Sequence, residues 1–180
     1  MKKMILFSLN CFILNLAYSQ SPDKIKNKIH LDSSTYLYTF YINDKAIKIK
    51  TDKIYYWYKS GRIFTTMEGY GGKVLNGSFT KYYVTNNLSE EGQFLNGLKS
   101  GFWKKWYSNG MLKEKSCWNK GILSGLYKSF DSTGRPVKNG KYIKGKFSGV
   151  SYEYDQKNNL KIITYSKDKI QLDSTSNKPD

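Results

Sequence analysis

Residues 101–124 read GFWKKWYSNGMLKEKSCWNKGILS, and this stretch is the clearest copy of a pattern that recurs along the chain. Four glycines open four successive units, 24 residues apart and without a gap, at Gly77, Gly101, Gly125 and Gly149. A fixed period of this kind is typical of proteins built from repeated supersecondary units. The sequence therefore predicts a repeat array in which each unit packs mainly on its neighbours.

Two columns of the repeat predict tight turns. The tenth position holds only glycine or asparagine, in the order Asn86, Gly110, Gly134 and Asn158. These two residue types tolerate a left-handed backbone best, so their exchange indicates a turn with positive φ. A second turn is predicted at position 21, which holds Gly97, Gly121 and Gly145 before the pattern is lost at Lys169.

Aromatic columns lie between these turns. Position 3 holds Phe79, Trp103 and Tyr127, position 6 holds Tyr82, Trp106, Phe130 and Tyr154, and position 18 holds Phe94, Trp118 and Tyr142. Position 16 is small (Gly92, Ser116, Gly140, Thr164), which leaves room for a neighbouring ring. Two turns per unit leave two strands. We therefore expect an all-β, elongated antiparallel meander of about four to five hairpin repeats, held together by ring packing.

The rest of the chain is divided by composition, because every glycine lies at or beyond Gly61. Residues 77–172 form the four regular units, and residues 54–76 are predicted to be a fifth, degenerate repeat. The last unit loses two aromatic residues and one turn glycine, which is typical of a cap. Residues 173–180 are polar and are predicted to be a disordered tail.

The segment 21–53 is predicted to contain a polar leader and an N-terminal capping hairpin. The hairpin would pair Thr35–Ile42 with Ala46–Lys50 around a turn at Asn43–Lys45, because both runs alternate as strands do. The leader would extend to Asp32.

Residues 1–20 have the parts of a secretory signal peptide. Basic Lys2 and Lys3 precede the apolar run Met4–Leu16, and small residues at its end predict cleavage after Ser19 or Gln20. The run is shorter than the ~20 residues that a membrane span needs. An uncleaved anchor helix and a lipid attached through Cys11 are the alternatives. We expect a secreted or periplasmic protein with no transmembrane span after cleavage, in which Cys117 is a single, small buried residue.

The clearest unit resembles the MORN (membrane occupation and recognition nexus) repeat in its bacterial variant form. Phe94-Leu95-Asn96-Gly97 is followed by Gly101-Phe102-Trp103 and Tyr107-Ser108-Asn109-Gly110, and later copies match less well. The resemblance covers about residues 54–170. It implies an elongated hairpin sheet and a binding or scaffold role, with membrane tethering, protein assembly and antitoxin components among the roles of the family. A signal peptide argues against a cytosolic toxin as the partner.

The sequence offers little catalytic chemistry. His30 is the only histidine and lies in the polar leader, so neither a nucleophilic triad nor a His/Cys zinc site is indicated. Glu90, Glu91 and Glu114 could form an acid–base pair, but carboxylates on a solvated strand face are the simpler interpretation. The Gly69–Gly72 run is followed by no helical pattern and does not resemble a phosphate loop. We expect no enzyme activity, no catalytic residue, no cofactor and no metal.

Charge gives the clearest indication of a partner. The chain carries 30 Lys and Arg against 14 Asp and Glu, yet only Arg62 and Arg135 are arginine, which argues against nucleic acid. A diffuse lysine field suits an anionic envelope surface, either lipid or acidic glycan. The alternative is that lysines only solubilise the protein and block strand edges.

The positive charge concentrates in the second and third regular units. The candidate anionic-ligand patch comprises Lys104, Lys105, Lys128, Lys141 and Lys144. Lys104 and Lys105 are adjacent in a strand and should point to opposite faces. A purely structural role is expected for Gly77, Gly101, Gly125, Gly149, Trp103, Trp106, Trp118, Gly97, Gly110 and Gly121.

These observations favour an exported, non-catalytic binding or scaffold module of the cell envelope or the extracellular space. Its partner would be a protein or an anionic surface. The alternative is an immunity or antitoxin-type protein that neutralises an exported toxin.

Overall fold

The computed structural model describes residues 27–155, 159–166 and 170–176, and these ranges contain strands and no helix. The signal peptide and its cleavage site lie outside the described residues. The all-β prediction is confirmed. The thirteen strands are β1 Lys28–Asp32, β2 Tyr36–Asn43, β3 Ile54–Lys59, β4 Arg62–Met67, β5 Lys73–Tyr83, β6 Leu88–Leu95, β7 Leu98–Trp106, β8 Leu112–Asn119, β9 Ile122–Phe130, β10 Pro136–Ile143, β11 Lys146–Tyr154, β12 Leu160–Tyr165 and β13 Ile170–Ser176.

The strands form one open antiparallel sheet. Its main path runs β1-β2-β5-β6-β7-β8-β9-β10-β11-β12-β13, so each strand after β5 pairs with its neighbour in sequence. Only the β3–β4 hairpin lies off this path, attached to β5 through the pairs Trp57↔Val74 and Tyr58↔Lys73. The hairpin meander predicted from the 24-residue period is therefore confirmed.

Both turn columns adopt the predicted backbone. Asn86, Gly110 and Gly134 have φ of 65°, 83° and 89°, while Asn158 lies outside the described residues. The hairpins at Asn96-Gly97, Lys120-Gly121 and Lys144-Gly145 have positive φ at both residues. Positive φ at both central residues is characteristic of a two-residue type I′ turn, whose twist matches the right-handed twist of the flanking strands.

The first column of glycines has a different function, because these residues lie inside strands. Gly101 and Gly125 have φ of 70° and 107° and lie where the register with the preceding strand shifts by two residues. Such irregularities need backbone conformations that glycine adopts easily. The residues that follow, Phe102 and Leu126, consequently protrude and are 64% and 67% exposed.

Hydrogen bonds with the same 24-residue period join neighbouring repeats at both ends of the strands. At one end the turn glycines Gly97, Gly121 and Gly145 donate their N–H to the carbonyls of Leu75, Lys99 and Leu123 at 2.7, 2.8 and 3.1 Å. At the other end the hydroxyls of Tyr83 and Tyr107 donate to the carbonyls of Trp106 and Phe130 at 2.9 and 3.0 Å. Each hairpin is thus fastened to the next one as well as paired with it.

The two faces of the sheet differ in chemistry. One face, which we call the aromatic face, carries the core cluster of Phe40, Ile42, Leu75, Phe79, Phe94 and Trp103. A Cβ atom at Gly92 would collide with the Trp103 ring, which confirms that position 16 is small to admit a neighbouring ring. The opposite face carries Lys104, Lys115 and Lys128 in register, and we call it the lysine face.

The N-terminal hairpin differs from the prediction. Its strands are β1 and β2, joined through a turn in which Ser33 bonds Tyr36, so residues 28–32 are strand and not leader. Ala46–Lys50 is not a strand. Phe40 and Ile42 of β2 are buried beside Phe79 and Leu75 of β5, and burial of this apolar row outweighs the local alternation at 46–50.

The segment 54–76 also departs from a regular repeat. Residues 54–67 form the β3–β4 hairpin and residues 73–76 begin β5. Because β2 already pairs with β5 along most of its length, the hairpin cannot occupy that place in the sheet. It packs instead on the aromatic face, where the ring of Tyr58 lies 5.5 Å from Phe40 and that of Tyr56 lies 4.9 Å from Phe94.

The prediction that residues 173–180 form a disordered tail is wrong for residues 173–176. Residues 173–176 continue β13, which pairs with β12 from Tyr165↔Ile170 to Leu160↔Ser176. That pairing satisfies backbone groups of β12 that would otherwise form an open edge.

Candidate functional site

A groove lies between the β3–β4 hairpin and the aromatic face. It has a volume of about 340 Å³, with Phe79, Phe94 and Trp103 at its floor. These rings pack edge to face, with centroids 5.4 Å apart for Phe79 and Phe94 and 4.9 Å for Phe94 and Trp103. The hairpin supplies the opposite wall through Tyr56, Ile63 and Thr65.

A buried ion pair anchors the floor of the groove. The Lys99 ammonium bonds the Glu90 carboxylate at 2.7 Å and lies 3.9 Å from the centroid of the Trp103 ring. Lys99 is only 7% exposed, and burial lowers the pKa of its ammonium despite the nearby Glu90 charge. The contact with the indole face partly replaces lost water, because the ring presents negative charge to a cation.

Alternating charges continue from this pair across the strands of the aromatic face. The register places Lys81 opposite Glu90, Glu90 opposite Lys105, and Lys105 opposite Glu114. Lys105 reaches Glu114 at 3.4 Å. Opposite charges directly across neighbouring strands stabilise a sheet, so this row supports the hairpin pairing.

Glu114 is held by hydrogen bonds as well as by charge. Its carboxylate accepts from Ser116 at 3.0 Å and from the Tyr127 hydroxyl at 3.3 Å. Burial, followed by the Glu114 charge, raises the pKa of Tyr127 to about 12. The phenol therefore stays a donor at neutral pH.

The expectation that Glu90 and Glu114 lie on a solvated strand face is wrong. Their side chains are 17% and 18% exposed and each bonds a lysine. Lys105 lies between them in register. This arrangement neutralises both carboxylates and does not pair them as an acid and a base.

The aromatic face continues beyond the groove as a second ring cluster. Tyr127 and Tyr142 lie 5.1 Å apart, Tyr142 and Phe147 lie 5.3 Å apart, and Phe147 contacts Tyr165 at 5.6 Å. These rings are half-buried, whereas Phe79 and Trp103 are almost fully buried. The second cluster therefore presents more ring surface to solvent than the first.

The lysine face contains a row of like charges. Lys104 lies opposite Lys115, and Lys115 lies opposite Lys128, on three neighbouring strands. Only Lys104 has an acidic partner, Glu91 at 2.8 Å; Lys115 and Lys128 form no ion pair with any described residue. Like charges directly across strands repel, so this row is complementary to an external anion.

The structure distributes the five lysines of the candidate patch over three places. Lys104 and Lys128 belong to the lysine row, and Lys141 lies on the same face opposite the exposed Leu126. Lys105 lies on the aromatic face, and Lys144 lies in a hairpin turn with φ of 49°. The patch predicted from the sequence did not include Lys115. Folding residues 101–119 back around the turn at Gly110 nevertheless places Lys115 beside Lys104.

Two further residues with potentially reactive side chains are His30 and Cys117. The imidazole of His30 pairs with the Thr39 hydroxyl at 3.0 Å, and Cys117 is of intermediate exposure and not buried as the sequence predicted. Within residues 27–155 and 159–166, no three or more His, Cys, Asp or Glu side chains are placed so that they could hold a metal ion. The described part of the chain also contains no apolar helix long enough to cross a membrane.

The fold and these surfaces define an open antiparallel hairpin-repeat sheet with chemically different faces. Comparisons with family models, curated proteins and solved structures returned no match. The resemblance to MORN repeats therefore stays a prediction.

Proposed function

We propose that the protein is an exported, non-catalytic binding module whose lysine face rests on an anionic lipid surface of the envelope. The observation that carries this proposal is the row Lys104–Lys115–Lys128, which faces solvent and, among the described residues, meets a countercharge only at its Glu91 end. Lys141 extends the same positive surface to the next strand.

The apolar residues beside the row favour a bilayer over a polar polymer. Phe102 lies two residues before Lys104, and Leu126 lies two residues before Lys128, so strand alternation places all four on one face. Both apolar side chains are about two-thirds exposed. Exposed apolar side chains among lysines can enter the boundary between head groups and acyl chains.

The expected binding free energy is large enough for reversible attachment to an anionic membrane. Each lysine near an anionic leaflet contributes roughly 1 kcal/mol, and the contribution falls off within a Debye length of about 8 Å at physiological salt. Four lysines on one face, together with Phe102 and Leu126, therefore support binding that is measurable and that weakens as salt increases.

Sedimentation with vesicles tests the proposal. The exported protein is mixed with vesicles of phosphatidylglycerol and phosphatidylcholine, or of phosphatidylcholine alone, over a range of salt. We expect co-sedimentation only with the anionic vesicles. Replacing Lys104, Lys115, Lys128 and Lys141 with Gln should abolish it. The matched control replaces four exposed lysines elsewhere, Lys45, Lys48, Lys50 and Lys59, and should retain binding.

Three other outcomes of these experiments would contradict the proposal, each for a different reason. Equal loss in both quadruple variants would mean that net charge and not the lysine face governs binding. Binding to an immobilised acidic polysaccharide but not to vesicles would assign the face to a glycan. Capture of one stoichiometric protein from envelope extract, unaffected by the lysine changes, would favour the immunity-type alternative.

A further inference from the structure

The groove on the aromatic face is a second candidate site, on the opposite side of the sheet from the lysine face. Its volume of about 340 Å³ lies at the small end of the range for ligand pockets. The floor rings are almost fully covered, so a ligand would meet the half-buried or exposed groups above them. A site of this size accommodates one ring-sized group.

The groove contains more cations than anions. Lys81, Lys99 and Lys105 line it together with a single carboxylate, Glu90, which Lys99 already neutralises at 2.7 Å. Lys105 reaches only the more distant Glu114, at 3.4 Å.

Lys81 forms no ion pair with any described residue, although Glu90 lies opposite it in register, and its ammonium lies 3.5 Å from the centre of the Tyr36 ring. Burial lowers the pKa of Lys81, although the Glu90 charge acts in the opposite direction. A ligand anion beside Lys81 would supply the missing countercharge.

The remaining groups match hydroxyls more closely than a bare anion. A carboxylate has about four acceptor positions, and Glu90 has one short bond, to Lys99. Thr65 on the hairpin wall adds a hydroxyl that is exposed to the groove. Tyr38 and Tyr56 supply flat ring surfaces, and burial raises the pKa of both phenols, so they remain neutral donors.

We propose that this groove binds a hydroxylated ring that carries a carboxylate, namely one uronic acid residue of an acidic saccharide. The ligand carboxylate pairs with Lys81, its hydroxyls bond Glu90 and Thr65, and its apolar ring face packs on Tyr38 or Tyr56, while Lys105 adds positive charge from the far side of Glu90. Lys99 is a positioning residue, because it holds Glu90 in place from below. The site does not depend on membrane binding, since none of its residues belongs to the lysine face.

Titration calorimetry with the exported protein tests this site, using galacturonic and glucuronic acid and short oligomers of each as probes. We expect saturable binding that the uncharged methyl ester does not reproduce. Lys81→Gln should weaken binding by about tenfold, the effect of one lost charge-assisted hydrogen bond, and Lys105→Gln should weaken it less. Lys113→Gln is the matched control, because Lys113 is exposed at a strand irregularity outside the groove and should leave the affinity unchanged.

Three results would overturn the assignment. These are no saturable binding of any uronic acid, equal binding of benzoate, which lacks the hydroxyls, and equal binding of inorganic phosphate, which lacks the ring. Circular dichroism and unfolding midpoints confirm that the variants are folded. Vesicle sedimentation of Lys81→Gln and Lys105→Gln should match the unaltered protein, so that failure of this site is distinguished from failure of the lysine face.

Discussion

The indole of Trp103 lies against Gly92 on the neighbouring strand, in the space that a Cβ atom at residue 92 would occupy. Trp103 is 1% exposed and packs on Phe79 and Phe94, so it has little freedom to move away. The contact joins position 16 of one repeat to position 3 of the next. It is therefore one of the points at which ring packing fastens consecutive hairpins together.

Gly92→Ala should destabilise the protein by about 1–3 kcal/mol, the usual cost of overpacking a core. Urea unfolding followed by tryptophan fluorescence measures the change. Gly69→Ala is the control, because a Cβ at residue 69 meets no atom within 4 Å and Gly69 has ordinary φ. Equal unfolding midpoints for the two variants would show that the indole does not need the glycine.

At Gly110 the constraint is conformational only. The residue has φ of 83°, and an added Cβ would contact nothing within 4 Å. Asn86 already occupies the same column with φ of 65°. Gly110→Val should therefore lower the free energy of unfolding by about 1–3 kcal/mol more than Gly110→Asn, because β-branched residues rarely adopt positive φ. Thermal unfolding of both variants checks this, and matching melting temperatures would count against the assigned turn.

The turns and repeat strands could be predicted because their determinants are local. Glycine and asparagine at Gly110 and Asn86 specify φ, and alternation between turns specifies the faces. The position of the β3–β4 hairpin could not be predicted in this way. It depends on β2 pairing with β5, a contact between Phe40 and Phe79 that no local pattern of residues specifies.

The candidate surfaces were only partly predictable for a related reason. Charge counts located the positive repeats, and alternation separated Lys104 from Lys105. The partner across the strand, however, depends on register. The structure pairs Lys105 with Glu114 and places Lys115 beside both Lys104 and Lys128, and a count of charges per repeat contains neither fact.

Tyr127 gives the molecule a pH dependence in the alkaline range. Burial and Glu114 raise its folded-state pKa from 10.0 to about 12, so the folded state keeps this proton when the unfolded chain has lost it. A raised folded pKa contributes stability that is fully present below pH 10 and is lost as the pH rises through about 12.

The stability difference between the unaltered protein and Tyr127→Phe should accordingly shrink between pH 10 and pH 12. Urea unfolding at each pH measures it, and ultraviolet titration should lose one late-ionising phenol in the variant. Tyr41→Phe is the control, because Tyr41 lies in β2, which pairs with neither of the strands that carry Tyr127 and Glu114. A difference that stays constant over this interval would contradict the prediction.

The Lys99–Glu90 pair should be strongly coupled, because both partners are largely buried. Their side chains are 9% and 17% exposed, at an Nζ to Oε1 distance of 2.7 Å. Removing one partner leaves the other charge in a poorly solvated place, which typically costs about 3 kcal/mol or more. Lys99→Met and Glu90→Gln should each be destabilising, whereas the double variant should recover much of the loss.

The neighbouring Lys104–Glu91 pair provides the matched comparison. It has nearly the same bond length, 2.8 Å, and joins the same two strands, but it lies on the lysine face with side chains 43% and 36% exposed. Water and salt screen such a pair, so its coupling energy should be below about 1 kcal/mol. Double-mutant cycles by urea unfolding measure both couplings. If the two are equal, burial by Trp103 and the β3–β4 hairpin does not strengthen the inner pair. If the inner coupling is several-fold larger and insensitive to salt, the hairpin has created a low-dielectric compartment on one face of an otherwise open sheet.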